Sequence, residues 1–422
     1  MSSNAPHDHD DPHASHPDDD HDDAVIGKAL RLSLIALVAL GVIGGAIAFF
    51  FTRPTEAPPE QVIEVAAPEA VAQAAADPPS VTFADVTASI GIDFIHESGA
   101  KGDKLLPESM GSGAAFADLD NDGDNDLVLI NGSRWPHDGG AESPAVVVYR
   151  NDAGGDGAIA LTDVTAAIGL ADVRLYGTGL AIADVDGDGW RDLFIAAVGG
   201  NRLLRNVDGQ RFVDITRQAG VAGADDAWST SAGFADLDRD GDLDLYVCNY
   251  VRWSKDIDFA VDFRLTGVGR AYGPPVNYEG TFSQLYRNDG DGTFTDVSEE
   301  AGIRVTNDAT GGPVGKGLGL IFVDIDRDGW LDIFVANDTV QNFVFRNRGG
   351  EADGALAFEE VGQLYGLAYG RAGEATGAMG IDVAHYRNDG ELGMAIGNFA
   401  NEMTSLYISQ GDPTLFADEA IV

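Results

Sequence analysis

Four stretches of this chain repeat Asp-x-Asp-x-Asp-Gly-x-x-Asp, each followed at once by an apolar residue. They are Asp118-Asp120-Asp122-Gly123-Asp126, Asp184-Asp186-Asp188-Gly189-Asp192, Asp236-Asp238-Asp240-Gly241-Asp244 and Asp324-Asp326-Asp328-Gly329-Asp332. Alternate carboxylates on a tight turn wrap hard oxygen donors around one cation, and the glycine permits the turn. That chemistry suits Ca2+. All sixteen aspartates are therefore candidate metal ligands. An EF-hand loop would carry a glutamate at its twelfth position. Here that position holds Leu129, Ile195, Val247 and Val335. The ninth-position aspartate instead opens a short apolar run, so each loop is expected to join two strands rather than two helices.

The elements that position these loops recur with them. A small residue stands five places before each first aspartate: Gly113, Gly179, Ser231 and Gly319. A third strand follows the second, as Val148-Tyr149-Arg150-Asn151, Leu203-Leu204-Arg205-Asn206, Leu285-Tyr286-Arg287-Asn288 and Val344-Phe345-Arg346-Asn347. A fourth begins at Leu161, Phe212, Phe294 and Phe358. Four short strands per unit predict an antiparallel sheet, and sheets repeated radially make a β-propeller. The fold class is all-β: a propeller of four-stranded antiparallel blades. A fifth unit aligns on Gly380, with His385, Arg387, Asp389, Gly390 and Gly393 in the loop slots. Arg387 carries the wrong charge and one carboxylate remains of four, so no calcium is expected there. Between the third and fourth loops an excursion, Val251 to Phe282, carries Trp253, Tyr272 and Tyr278. These are residue types enriched at binding hot spots, which makes the excursion the leading candidate for a docking surface. Packing of those aromatics onto the blade itself is the alternative.

The units resemble FG-GAP/VCBS repeats, the calcium-binding blades of integrin α-subunit propellers, and more closely the cartilage acidic protein family. The resemblance rests on Phe83-Ala84-Asp85-Val86-Thr87, Asn249-Tyr250-Val251-x-Trp253, Tyr286-Arg287-Asn288-Asp289-Gly290-Asp291-Gly292, Ala336-Asn337-Asp338-Thr339 and Gly377-Ala378-Met379-Gly380. It spans residues 81–422 and implies a seven-bladed propeller with an extracellular interaction role. Bacterial members often end in an ASPIC/UnbV domain, which has no counterpart here. Phe83–Thr87 is a leading copy of the fourth strand, of the kind that commonly closes a propeller's last blade. The fifth unit has its own copy from Phe416, so the chain reads as an incomplete version of a longer propeller.

Leu32 to Phe51 is a run of twenty residues without charge. At ~1.5 Å per residue it spans ~30 Å, a bilayer's apolar core. Lys28 and Arg31 precede it and Arg53 follows, which places the N-terminus in the cytoplasm and the propeller in the periplasm or outside the cell. The expected organisation is a disordered His/Asp-rich tail at 1–27, a transmembrane anchor at 28–52, a Pro/Ala-rich linker at 53–80 and the propeller at 81–422. Metal binding by the tail's His7, His9, His13, His16 and His21 is the alternative to a solvated segment.

A net charge of -43 argues against nucleic acid as a partner. Cys248 is the only cysteine, which excludes an intrachain disulfide. No Gly-x-Ser-x-Gly elbow or Cys-x-x-Cys pair is present. The sequence therefore points to a membrane-anchored, extracytoplasmic interaction or adhesion module rather than an enzyme, with a protein or surface glycan as partner. A hydrolase or lyase with its site on the axial face, or a carbohydrate-binding protein, are the alternatives.

Overall fold

The computed structural model describes residues 20–51, 80–135, 140, 143–153, 159–349, 355–387 and 390–420. One part is a single helix, Asp20–Phe51, whose apolar side chains from Leu30 to Ile43 are exposed on every face. A helix hydrophobic all round has no water-facing side to present. The window Lys28–Ala46 is long and apolar enough to cross a bilayer. The helix begins at Asp20, eight residues before the expected anchor. Residues 1–19, with His7, His9, His13 and His16, lie outside the described residues, as does the linker at 52–79.

The other part is built from five four-stranded antiparallel sheets. Blade 1 comprises Ala114–Ala117, Asp126–Ile130, Val146–Asn151 and Leu161–Asp163. Blade 2 comprises Tyr176–Ala183, Asp192–Val198, Arg202–Val207 and Arg211–Asp214. Blade 3 comprises Ser229–Ala235, Asp244–Asn249, Gln284–Asn288 and Phe294–Asp296. Blade 4 comprises Gly317–Val323, Asp332–Asn337, Phe343–Asn347 and Phe358–Glu360. Blade 5 comprises Ala378–Ala384, Gly393–Asn398, Ser405–Ser409 and Phe416–Asp418. The repeat motif thus becomes one sheet each time, and every Asp-rich loop joins a first strand to a second.

Strand alternation sends one set of side chains forward and one back, and the blades stack through these faces. Leu180 and Ile182 of blade 2 pack on Val128, Ile130 and Val148 of blade 1. Phe234 of blade 3 meets Phe194 of blade 2 edge to face, ring centroids 6.3 Å apart. Phe322 of blade 4 lies over Gly233, where even a methyl group would be 2.6 Å from its ring. The innermost strands approach so closely that the small residue five places before each loop is a requirement. A methyl at Gly179 would lie 1.9 Å from the Thr230 carbonyl, and one at Gly319 2.3 Å from that of Met379.

Two expectations change. Phe83–Thr87 belongs to no sheet; a single helical turn, Thr87–Ile90, follows directly. The excursion from Val251 is an ordered scaffold. It holds a helix Lys255–Val261 capped by the Ser254 hydroxyl, a small hairpin pairing Arg264–Leu265 with Gly269–Arg270, and a helical turn Pro275–Asn277. Its aromatics turn inward because buried carboxylates satisfy their polar tips: Asp258, five residues along the excursion itself, for Trp253, and Glu108, from the segment before blade 1, for Tyr272. Buried Asp258 accepts hydrogen bonds from the Leu106 amide (2.8 Å), Trp253 Nε1 (2.7 Å) and Arg270 Nη2 (2.6 Å). Buried Glu108 accepts from Trp135 Nε1 and from the Tyr272 hydroxyl, both at 3.1 Å. Trp253 and Tyr278 are only 7% and 5% exposed. The excursion of blade 3 therefore clamps residues 103–108, which precede blade 1, and Trp135, which follows its second strand.

Candidate metal centres

Each Asp-rich loop is shaped by its own backbone. The glycine at its sixth position is left-handed in all four copies: Gly123, Gly189, Gly241 and Gly329, with φ of 97°, 92°, 100° and 92°. The first aspartate accepts loop amides, as Asp184 does from Asp188 (3.1 Å) and Gly189 (2.8 Å). The fifth-position aspartate accepts from two residues on, as Asp188 does from Trp190 at 2.9 Å. These bonds aim the remaining carboxylate oxygens inward.

The result is four triads of carboxylates, each offering one oxygen within 4.8 Å of the other two: Asp118, Asp120 and Asp122; Asp184, Asp186 and Asp192; Asp236, Asp238 and Asp240; Asp324, Asp326 and Asp332. Twelve of the sixteen candidate ligands are so gathered; Asp126, Asp188, Asp244 and Asp328 stand in the same loops outside the triads. Oδ1 of Asp120, of Asp236 and of Asp324 is buried without any hydrogen-bond partner. An orphaned buried carboxylate oxygen beside two like charges is costly unless a cation or a proton neutralises it. All-oxygen donors on a flexible loop fit Ca2+ better than softer metals. The residues present thus fit the ion.

The ninth-position aspartates do something the spacing alone did not disclose. Asp126, Asp192, Asp244 and Asp332 are buried, and both oxygens of each accept backbone amides. Asp192 takes Asn206 N (2.7 Å) on the third strand and Val185 N (3.1 Å) in the loop. Asp332 takes Asn347 N (2.7 Å) and Ile325 N (2.9 Å). Each therefore staples the loop to the third strand while keeping lone pairs for a metal. Burial pushes the carboxyls of Asp192, Asp244 and Asp332 up to about 7, helped by the neighbouring loop carboxylates and opposed by the two amides. Burial likewise raises Asp120, Asp186 and Asp238, reinforced by adjacent aspartates.

The third-strand asparagine was visible in the motif but not its task. Asn206 Nδ2 donates to Leu119 O (2.8 Å) in the loop of blade 1, Asn288 Nδ2 to Val185 O (3.0 Å) in that of blade 2, and Asn347 Nδ2 to Leu237 O (2.8 Å) in that of blade 3. Each blade thereby latches onto the preceding blade's loop. The fourth loop position adds to this. Asn121, Arg239 and Arg327 are left-handed there, with φ near 60°. Asn121 Nδ2 reaches Gly189 O (3.0 Å), Arg239 lies 4.3 Å over the Trp330 ring, and Arg327 Nη2 reaches Gly390 O (2.6 Å). The loops form one connected belt at one end of the sheets. Arg346 closes on Asp326 at 2.6 Å, a counter-charge inside the fourth loop.

Blade 5 differs. Its turn is closed by His385 Nδ1 against Glu391 O at 3.1 Å, and Arg387 pairs with Glu419 at 3.1 Å. Asp389 lies outside the described residues. At the opposite end of the blades, a cavity of about 670 Å³ is lined by Trp135, Tyr176, Val198 and Trp253, with Arg174, Lys255, Asp225 and Asp226 alongside. Trp135 stacks on Tyr176, centroids 4.4 Å apart.

The FG-GAP-like repeat model matches residues 118–195, 184–247 and 276–335. The chain thus carries FG-GAP-like repeats in a β-propeller-like fold; the narrower kinship with cartilage acidic proteins is not confirmed. No curated protein sequence matches the chain. Among solved structures it is similar to an Agrocybe aegerita lectin that recognises non-reducing terminal N-acetylglucosamine, at 19% identity and a TM-score of 0.40, over 74% of this chain and 67% of the lectin. It is also similar to the extracellular domain of a candidate one-component system from B. thetaiotaomicron, at 13% identity and 0.34, over 72% of this chain and 27% of that one. A third is an exo-β-1,3-galactanase from Phanerochaete chrysosporium, at 8% identity and 0.31, over 56% and 48%. These likenesses are weak and say nothing of what this chain binds.

Proposed function

We propose that the protein is a calcium-stabilised propeller, held at a membrane by its N-terminal helix and presented outside the cytoplasm, whose task is to bind a partner rather than to turn over a substrate. The observation that carries the reading is the recurrence of a carboxylate triad, drawn from the same four loop positions, in four successive blades, with orphaned buried oxygens in three of them. Regular recurrence suits scaffolding, whereas a catalytic pair would be singular. Bound calcium would offset two of the three charges of each triad and hold the loop belt rigid, leaving the loops at the opposite end to present a fixed surface. The apolar helix, bare on every face, supports the anchor.

A protein or surface glycan is the expected partner. A specific feature favours the glycan: the cavity beside Trp135, Tyr176 and Trp253 offers apolar walls with charged groups nearby. Sugars use such mixed sites, packing C–H faces on aromatics and hydrogen bonding to charged side chains. The full chain reconstituted in liposomes tests this. Retention of the liposomes on immobilised cell-surface polysaccharide is expected with calcium, is lost with chelator, and is weakened by Asp225→Ala with Arg174→Ala. Retention indifferent to the chelator and to both substitutions, or hydrolysis of the polysaccharide, would overturn it.

A further inference from the structure

The four Asp-rich loops share one frame but are of two kinds, and the kinds alternate along the chain. At the seventh loop position blades 1 and 3 carry Asp124 and Asp242, where blades 2 and 4 carry Trp190 and Trp330. Directly after the third-strand Arg-Asn pair, blades 1 and 3 carry Asp152 and Asp289, where blades 2 and 4 carry Val207 and Arg348. The triads divide in the same way. Those of blades 1 and 3 use the first, third and fifth aspartates of the loop; those of blades 2 and 4 use the first, third and ninth.

The third-strand arginine accounts for the division. Side chains two residues apart on an extended strand share a face, so an aspartate two places on can take the guanidinium. Asp152 takes Arg150 through two bonds, at 2.8 and 3.3 Å, and Asp289 takes Arg287 at 2.8 Å. Their charge is matched by a carboxylate outside the triad. Val207 and Arg348 offer no carboxylate, and in those blades the arginine turns to the loop. Arg346 Nε reaches Asp326 at 2.6 Å and its Nη2 reaches Asp328 at 3.5 Å, while Arg205 Nη1 lies 3.7 Å from Asp186. Asp186 and Asp326 are triad members. Trp190 and Trp330 add no charge; each packs on a turn glycine, Gly209 or Gly349, where a methyl would lie 2.7 or 2.6 Å from the ring.

We infer that, with calcium as the ion of these loops as proposed above, the sites form two classes: blades 1 and 3 fill first, blades 2 and 4 fill only at higher calcium, and Arg205 and Arg346 set the difference by competing with the ion for a triad carboxylate. Affinity in oxygen-ligand loops follows ligand charge count and rigidity. A calcium ion in blade 3 meets the five carboxylates of Asp236, Asp238, Asp240, Asp242 and Asp244. In blade 4 it meets four, one of them already held by a guanidinium. Two units of charge this close to a divalent ion should separate the classes by roughly tenfold or more in dissociation constant. Arg191 also lies beside a loop, but it bonds the Asp118 carbonyl at 2.8 Å and leaves that triad's carboxylates to the ion; blade 1 should rank just below blade 3. Because Asn206, Asn288 and Asn347 latch each loop to the next blade, the weaker class decides at what calcium concentration the whole belt becomes rigid.

Calorimetric titration of the full chain in detergent, stripped of metal by a chelator and dialysed free of it, tests this with calcium itself. Two ions should bind tightly and two at least about tenfold more weakly. Asp236→Ala should remove a tight ion and Asp324→Ala a weak one. Arg346→Gln should move one weak ion towards the tight class, while Arg346→Lys, which keeps the charge, should leave it weak. Structural damage lowers affinity, so a gain on removing a side chain reports the competition alone. Asp289→Asn, which releases Arg287, should weaken one tight ion. Four ions of one affinity, or a weak class that Arg346→Gln leaves in place, overturns the inference and spares the calcium reading. No ion bound at any concentration overturns both.

Discussion

Blades 4 and 5 have the same four strands in the same order, yet their first turns are built on different physics. In blade 4 the turn gathers Asp324, Asp326 and Asp332, buries an oxygen without a partner, and brings Arg346 against Asp326. In blade 5 the turn is closed by the His385–Glu391 contact, and Gly393 stands where blade 4 has Asp332. The staple is replaced by another: the Leu392 amide donates to Ser409 Oγ at 3.0 Å, and that hydroxyl donates to the Glu391 carboxylate. Among the described residues, blade 5 thus forms its sheet without a carboxylate triad in that turn. Where the loop is present, it concentrates charge that the sheet alone does not neutralise.

Calcium removal should separate the two kinds of blade most strongly. Binding to the native state adds ~2.7 kcal/mol per site at a hundredfold excess over the dissociation constant, so roughly 10 kcal/mol for four independent sites. Thermal melting with calcium and with chelator should differ by a large shift, and hydrogen exchange should rise in blades 1 to 4 while blade 5 changes least. Equal melting temperatures would break the comparison.

Next comes the staple. Asp332→Ala leaves the Ile325 and Asn347 amides buried and unpaired, which should cost roughly 3–5 kcal/mol in denaturant unfolding. The reverse change sharpens the contrast. A side chain at Gly393 would meet the Tyr386 ring at 2.6 Å, so Gly393→Asp should cost ~1–3 kcal/mol and should not create a site. A gain of one bound calcium in that variant would show that blade 5 is a metal loop merely lacking a ligand.

The last effect, spread over several pH units, is a dependence on pH confined to the metal-free protein. Asp192, Asp244 and Asp332 rise from 3.8 to about 7 on folding. The folded state therefore holds protons that the unfolded state has released. The stability this contributes is full below the unfolded value and is lost as pH climbs through about 7. Melting with chelator should fall between pH 4 and 7.5; with saturating calcium the fall should be absent, because the ion replaces the protons. A metal-free protein that gains stability over that range would contradict the burial of these carboxylates.

Much of this was readable from residues alone, because each feature repeats within one short window. The loop frame and the small residue of the close approach needed nothing from elsewhere in the chain. Features that rest on distant partners were not readable. Asn206, Asn288 and Asn347 announce a strand, but their carbonyl acceptors belong to the preceding blade. The task of Tyr272 was hidden because the carboxylate that takes its hydroxyl, Glu108, enters from the segment before blade 1. Phe83–Thr87 carried a strand's sequence without a strand's partner, and pairing depends on that partner.

We propose that calcium fills the loops of blades 1 to 4 and leaves blade 5 bare. Calcium bound per chain, measured by elemental analysis after dialysis against buffered free calcium, tests it most directly. The wild type should hold four, Asp186→Ala and Asp326→Ala should each hold three, and Arg387→Ala should hold four. No bound calcium in the wild type, or a fifth ion abolished by changes to the turn of blade 5, would contradict the account.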